Sequence, residues 1–141
     1  MTIRQLAVAY AATAVVFLAL DGVWLSTMAD RLYRPAIGHL MADGFRMAPA
    51  VVFYAIYVVG VLVFAVSPAL ASGQWTTALG RGALLGLVAY AAYDLTNHAT
   101  LHDWPLHLTL ADLAWGTFVT AAAATAGYAA TRWWAGAAPP A

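Results

Sequence analysis

The sequence predicts an all-α polytopic membrane protein in which four transmembrane helices form a bundle, and two observations predict this class. Apolar residues make up 64% of the 141 residues and charged residues only 9%, whereas a soluble domain carries about 25% charged residues. In addition, four apolar runs each approach the roughly 20 residues that are needed to cross a bilayer core. Helices are expected because they satisfy their own backbone hydrogen bonds in lipid, and the alternating pattern of a membrane-barrel strand is absent.

A single transmembrane domain is expected to cover residues 1–141. Its helices are predicted at about 5–28, 47–66, 78–101 and 105–131. The start of the chain resembles a signal peptide, but the apolar run is long and lacks a small-residue cleavage site, so we expect a retained helix. The turn from His102 to Trp104 is so tight that the third and fourth helices must be antiparallel neighbours. The tail from Ala135 to Ala141 is expected to fray.

The connection from Ala29 to Arg46 is the longest and the most charged. One face of a short helix is predicted here, because apolar residues recur at suitable spacing, namely Leu32, Tyr33, Ile37, Leu40 and Met41. This face predicts an interfacial segment between the first two helices. The positive-inside rule gives no decision, because three arginines lie on each side of the predicted membrane. Acidic residues outside the membrane occur only on the long-loop side, and on this ground we expect both termini in the cytoplasm.

Composition excludes several classes of function. The chain has no cysteine, which removes disulfides, thiolate catalysis and cysteine-ligated metals. Six arginines balance six aspartates, and no basic patch is present, so binding to nucleic acid is not expected. No cofactor is predicted.

Three aspartates lie inside the predicted spans, where an ionisable group costs roughly 3 kcal/mol or more. Asp21, Asp94 and Asp112 each lie about 7 residues from the loop-side end of their helix. At about 1.5 Å per residue, all three are some 10 Å below the same membrane face. The same depth of the second helix holds aromatic residues. This common depth predicts a polar pocket that opens toward the long loop.

Helical spacing indicates which side chains share the pocket with the acids. On the third helix, Asn97 lies on the face of Asp94, together with Gly82 and Gly86, whose small size permits close approach by a neighbouring helix. Asp94 and Asn97 are therefore the expected central contacts. The remaining candidate ligand-binding residues are Asp21, Asp112, Trp115, Tyr54, Tyr57, His39 and Arg46, the last two closing the pocket from the loop.

Other interpretations of these residues remain open. The acids can be structural, bonded to nearby hydroxyl and indole groups or paired with loop arginines. A weak alternative is a metal site made by Asp94, His98 and His102, which lie at positions i, i+4 and i+8 of one helix. The first and last of these are about 12 Å apart along the helix, too far for one ion to contact both. Haem is disfavoured because the histidines all lie at one rim.

Several motifs resemble the DUF2177 family of bacterial membrane proteins. The matching segments are Leu20–Leu25, Gly38–Leu40, Phe53–Gly60, Tyr93–Pro105 and Asp112–Thr117. The resemblance covers nearly the whole chain and implies a four-helix protein of the bacterial inner membrane, but it implies no activity. The family pattern includes Asp21, His39, Asp94, Thr96, Asn97, Asp112 and Trp115. It leaves the positions of His98 and His102 open, which argues against a metal site built on them.

The sequence thus favours a membrane protein whose loop-side pocket binds a small polar or amphiphilic ligand, with membrane lipids as the expected partners. One alternative is a membrane-embedded enzyme of lipid modification, with Asp94 or His39 as general acid or base. Another is an accessory subunit that packs against a membrane-protein partner or against further copies of itself. The sequence does not decide whether the protein is an enzyme.

Overall fold

The computed structural model describes residues 1–137, and every regular element in that range is a helix. The α-helices are α1 (Ile3–Met28), α2 (Arg34–Ile37), α3 (Met47–Val61), α4 (Ser67–Ser72), α5 (Trp75–Thr100) and α6 (Leu106–Ala137). The prediction of an all-α protein is confirmed. α6 extends beyond its predicted end near residue 131, and the rest of the tail that was expected to fray, residues 138–141, lies outside the described range.

Two of the α-helices do not end where the sequence indicated, because a π-helical turn continues each of them. Ala29–Tyr33 joins α1 to α2, and Leu62–Val66 joins α3 to α4. A short 3₁₀ turn follows α2, so the chain is helical from Ile3 to Leu40. The segment after Met28 was predicted as a loop with an interfacial helix, whereas here it prolongs α1.

The charged residues that suggested a loop after Met28 are accommodated on the surface of this prolonged helix. Arg34 and Asp30 form an exposed ion pair of 2.7 Å one helical turn apart, an arrangement that supports a helix. Pro35 lies just after the π-helical turn Ala29–Tyr33, a break in the regular hydrogen-bond pattern at which a helix can accommodate proline. The charged residues and Pro35 therefore lie on the surface of the prolonged helix and do not indicate its end.

Three helical stretches are long and apolar enough to cross a membrane. They are Ile3–Leu40, Met47–Ser72 and Leu106–Gly136. α5 is not among them, although it has 26 residues, because its sequence carries more polar residues. Length and hydropathy thus support three candidate spans, one fewer than the sequence predicted.

α6 lies at the centre of the fold, packed most extensively against α5 and next against α1. The buried residues of α1 recur at steps of four, at Ala9, Thr13, Phe17 and Asp21, as expected for one helix face turned toward a neighbour. α5 repeats the same step from Ala78 through two glycines. The row of buried residues on α1 therefore ends at Asp21, and the row on α5 ends at Asp94.

The close approach predicted for Gly82 and Gly86 is confirmed. A Cβ atom added to Gly86 would lie 2.1 Å from the carbonyl oxygen of Gly116, and one added to Gly82 would lie 3.0 Å from the Cα of Ala121. Since carbon atoms cannot approach that closely, α5 and α6 are in backbone contact at these glycines. This contact fixes the depth at which the polar ends of the two helices meet.

The turns lie at the two ends of the bundle. Gly73 ends α4 with a left-handed backbone (φ 70), and its carbonyl accepts a 2.7 Å hydrogen bond from the hydroxyl of Tyr128. The hydroxyl of Ser67 contacts the sulfur of Met1 at 3.7 Å, so the start of the chain and the end of α6 share this end. At the other end, Asp103 takes a left-handed conformation (φ 59) in the turn between α5 and α6.

Candidate functional site

The three aspartates inside the predicted spans come together in the structure. Asp21, Asp94 and Asp112 are 6%, 0% and 5% exposed, and all three line one cavity of about 300 Å³. They are contributed by α1, α5 and α6, of which α6 packs extensively on both of the others. Each acid therefore reaches the cavity on the buried face of its own helix.

The rest of the cavity wall is largely aromatic. Rings line it from the α1 extension, α3, α5 and α6, namely Tyr33, Phe53, Tyr54, Tyr90, Tyr93 and Trp115. Leu25 and Ala89 complete the lining. Tyr90 can occupy its position because Gly116 faces it: a Cβ atom there would lie 2.2 Å from the Tyr90 ring. The cavity thus combines acidic groups with the faces and edges of aromatic rings.

Asp21 has two hydrogen-bond donors. The hydroxyl of Tyr54 donates to Oδ2 at 2.5 Å, and the indole Nε1 of Trp115 donates to Oδ1 at 3.1 Å. The Trp115 ring is held in turn by Trp24, with ring centroids 4.4 Å apart and planes within 8°. A carboxylate with one donor on each oxygen has much of its lost hydration replaced.

Asp112 is bonded by a residue from the extension of α1. The hydroxyl of Tyr33 donates to Oδ1 of Asp112 at 2.5 Å, and it accepts a 2.9 Å hydrogen bond from Nε1 of Trp24. Because Trp24 also stacks on Trp115, these contacts join two of the acids into one network. The α1 extension is therefore part of the site, with Tyr33 as its point of attachment.

Asp94 differs from the other two acids. It is fully buried, and no hydroxyl, indole or amide donor of the described residues bonds to its carboxyl oxygens. The group beside it is the carboxyl of Asp112, and these two carboxyl groups can share a hydrogen bond only when one of them is protonated. An isolated buried polar group costs about 1–3 kcal/mol when nothing bonds to it. Asp94 is therefore a buried residue of the cavity wall whose oxygens have no donor within the described residues while both it and Asp112 are ionised.

The loop arginines do not neutralise these acids. Across residues 1–137 the ion pair between Arg34 and Asp30 is the one salt bridge, and it lies on the surface. Arg31 and Arg46 are exposed, and no basic residue lines the cavity in the described part of the chain. The interpretation in which three arginines pair with three intramembrane acids is not supported by these contacts.

Four of the predicted site residues lie outside the cavity lining. Tyr57 is buried deeper, where its hydroxyl is 2.8 Å from the Thr120 hydroxyl. Asn97 is partly buried one turn beyond Asp94. His39 is exposed, and Arg46 lines a separate depression formed by the loop before α3. The cavity is thus built from the predicted acids, Tyr54 and Trp115, without the two residues expected to close it.

Three histidines lie in or beside the turn between α5 and α6, namely His98, His102 and His107. His98 Nδ1 is 3.4 Å from the Thr109 hydroxyl, which also accepts a 3.0 Å hydrogen bond from Nε1 of the buried Trp104. His98 and His102 are exposed, whereas Asp94 is buried. No group of three histidine or acidic side chains in residues 1–137 is arranged to hold a metal ion. His98 therefore helps to join the two helices at their loop-side end.

Tyr33 lines the cavity in the structure, whereas the sequence predicted it in the connection between the first two helices. It was expected on the apolar face of an interfacial helix, but it lies three steps of four residues after Asp21, with Leu25 at the first step. In a regular α-helix of 3.6 residues per turn, twelve residues would leave Tyr33 about 120° away from the direction of Asp21. The π-helical turn Ala29–Tyr33 has a wider repeat and returns Tyr33 to the cavity face. The sequence contained no signal for this turn, and the charges around it suggested a loop.

The most exposed side chains of the cavity lining, Phe53 and Tyr93, lie on α3 and α5. These two helices make almost no contact along α3, while the π turn that follows α3 packs firmly on α5. The helices therefore diverge toward the loop-side end, where Phe53 on α3 and Tyr93 on α5 are both about half exposed. The gap between them is flanked by exposed apolar side chains such as Val52.

These features define an all-helical membrane protein with a buried, acid-lined cavity near one end of its helices. A family model described as "Predicted membrane protein (DUF2177)" matches residues 6–129, and the chain belongs to this family. The resemblance noted in the sequence is thereby confirmed. Neither a curated protein nor a solved structure matches the chain.

Proposed function

We propose that this protein binds the polar headgroup of a small amphiphile, such as a membrane lipid, in the cavity lined by Asp21, Asp94 and Asp112. The observation that carries the proposal is the state of Asp94, which is fully buried at the cavity wall beside a second acid, Asp112, with no other group bonded to its oxygens within the described residues. A buried carboxylate without donors is costly, and a ligand that donates to it removes that cost. Intramembrane acids are, by default, functional residues.

The size and the opening of the cavity favour a headgroup over a whole lipid. Its volume of about 300 Å³ is at the lower limit of small-molecule sites. The opening between α3 and α5 faces the region where lipid chains would lie if both helices cross the bilayer. A ligand can therefore keep its apolar chain outside, against exposed side chains such as Phe53 and Val52, while its headgroup fills the cavity.

This proposal includes α5 as a fourth membrane span. α5 has 26 residues, about 39 Å of helix, which exceeds the roughly 30 Å of a bilayer core. Its low hydropathy comes partly from the polar residues it directs at the cavity. The side chains that it exposes include Leu84, Val88 and Leu95, which suit contact with lipid. Four spans would leave both termini on one side, which we propose is the cytoplasmic side of a bacterial inner membrane.

A steric block of the cavity tests the binding proposal. Ala89 lines the cavity, and Ala92 lies three residues further along α5 with its side chain exposed. Protein extracted gently from membranes would be examined by native mass spectrometry as wild type, Ala89→Phe and Ala92→Phe. We expect a small amphiphile bound to the wild type and to Ala92→Phe, and its loss from Ala89→Phe.

The block is informative only if the variant folds. Each protein would therefore be checked by size-exclusion chromatography and by its thermal unfolding curve, with the smaller Ala89→Leu as a second block. A folded Ala89→Phe or Ala89→Leu that carries the same ligand at wild-type occupancy would overturn the proposal. So would a wild-type protein that carries no ligand and takes up none from added lipid extract.

A further inference from the structure

We propose that the headgroup recognised by this cavity is a cationic ammonium group, held by Asp94 and Asp112 and covered by the surrounding aromatic rings. This inference rests on the proposed function and names the chemical class of the ligand. Its first support is the charge of the wall: three acids line the cavity, and no basic residue lines it within residues 1–137. A buried negative charge is stable only when it is paired or hydrogen-bonded.

The distribution of donors shows where the cation is needed. The carboxylate of Asp21 already accepts hydrogen bonds from Tyr54 and Trp115, and that of Asp112 accepts one from Tyr33. Asp94 accepts none. An ammonium group supplies up to three donors and no acceptor, which matches a wall that offers acceptors without donors at this point. A carboxylate or phosphate group would bring a fourth negative charge beside the three acids, with phenol hydroxyls such as that of Tyr90 among the few donors to bond it.

The aromatic rings provide a second way for the cavity to recognise an ammonium group. Tyr33, Tyr90, Tyr93 and Trp115 surround the acids, and the stacked pair of Trp24 and Trp115 stiffens that side of the wall. The faces of such rings attract cations, and aromatic cages are a common means of binding ammonium ligands. A neutral headgroup would form hydrogen bonds here, but it would have no favourable electrostatic interaction with the ring faces or with the negative charge.

The geometry favours an organic cation over a metal ion. A divalent metal needs several oxygen or nitrogen ligands converging at about 2.0–2.6 Å. No group of three acidic or histidine side chains in the described residues converges in that way. An ammonium group needs only hydrogen-bond distances to one or two carboxylates, with ring faces about 6 Å from its charge. The spread of acids and rings around the cavity fits this looser arrangement.

The test compares three amphiphiles of equal chain length in neutral maltoside micelles: dodecylammonium, dodecanol and dodecanoate. Binding to the full-length protein would be measured by native mass spectrometry and by titration calorimetry at pH 7. We expect dodecylammonium to bind at least about tenfold more tightly than the other two. Asp94→Asn should remove this preference, and Asp43→Asn, which changes an exposed acid outside the cavity, should keep it. If Asp94→Asn does not fold, Asp112→Asn serves in its place.

The outcomes separate this inference from the proposed function. If none of the three amphiphiles binds in a way that Ala89→Phe blocks, the proposed function fails. If dodecanol or dodecanoate binds as tightly as dodecylammonium and Ala89→Phe blocks it, the proposed function stands and the ammonium inference is overturned. Butylammonium, tested alongside, identifies the source of the cation. Equal binding of butylammonium indicates a free amine, and a requirement for the long chain indicates a lipid-derived one.

Discussion

The hydroxyl of Tyr33 donates a 2.5 Å hydrogen bond to Asp112, a residue 79 positions further along the chain. This contact ties the extension of α1 to the middle of the cavity wall. It also leaves Tyr33 Oη to accept the indole N–H of Trp24, so one side chain satisfies two groups of the network. The extension beyond Met28 is therefore held by a specific contact as well as by its own helical hydrogen bonds.

Removal of the Tyr33 hydroxyl should loosen residues 29–40. Tyr33→Phe leaves the Asp112 carboxylate and the Trp24 N–H without their partner, a loss of about 1–3 kcal/mol. We expect faster amide hydrogen exchange and faster cleavage by trypsin after Arg31, with α3, α5 and α6 little changed. Hydrogen–deuterium exchange read by mass spectrometry makes this comparison.

The control for Tyr33→Phe is a change that removes only the surface ion pair of this segment. Arg34→Gln breaks the contact with Asp30, and exposed ion pairs contribute little to stability. Its exchange rates should match the wild type. If Arg34→Gln loosens the segment as much as Tyr33→Phe does, the extension is held at the surface and the role given to the Tyr33–Asp112 bond is wrong.

A single methyl group at the α5–α6 contact should destabilise the bundle. In Gly86→Ala the new Cβ would meet the Gly116 carbonyl at 2.1 Å, so the helices must move apart. Overpacking of this kind costs about 1–3 kcal/mol or more. Gly80→Ala is the matched control, since its Cβ meets nothing within 4 Å. Unfolding by dodecyl sulfate in maltoside micelles should separate the two variants, and equal midpoints would contradict the backbone contact.

Asp94→Asn should stabilise the protein while weakening ligand binding. The amide has nearly the shape of the acid, cannot ionise and offers a permanent donor to the neighbouring Asp112, so the free energy of unfolding should rise by about 1–3 kcal/mol. Asp21→Asn is the contrasting change, because Asp21 has two donors; it should not stabilise. A marked loss of stability in Asp94→Asn would mean that Asp94 is a structural residue.

The number of spans can be counted by labelling, because the chain has no cysteine of its own. Single cysteines at Gly44, Gly73, Asp103 and Gly136 would be tested with a thiol reagent that does not cross the membrane. Four spans predict that Gly44 and Asp103 react from one side and Gly73 and Gly136 from the other. Reaction of Gly73 and Asp103 from the same side would show that α5 does not cross.

The sequence predicted the parts of the site that follow from depth and helical period. Asp21, Asp94 and Asp112 share a depth and lie on buried faces, and they do meet in one cavity. The same counting missed Tyr33, because it depended on where α1 ends. A π turn adds a residue to the helical repeat, and composition does not reveal where such a turn occurs. Asp30 and Arg34 were therefore assigned to a loop, although they form an ion pair on a helix.

Helical periodicity cannot predict which side chains that are distant in sequence contact each other. Asn97 shares a helix face with Asp94, yet it lies one turn nearer the loop and does not line the cavity. His39 and Arg46 were assigned to the pocket on loop proximity alone, but the prolonged α1 carries the loop away from it. Which donor reaches which acid depends on the relative rotation of four helices, and that rotation is set by packing at positions such as Gly86 and Gly116.

The central claim is that an amphiphile occupies the acid-lined cavity through the opening between α3 and α5. Photocrosslinking tests it most directly, with a twelve-carbon amphiphile that carries a diazirine beside its headgroup. The account predicts adducts concentrated on cavity residues such as Tyr54, Tyr90 and Tyr93, lost in Ala89→Phe and retained in Ala92→Phe. Adducts spread over the outward faces of the helices, equally in all three proteins, would contradict it.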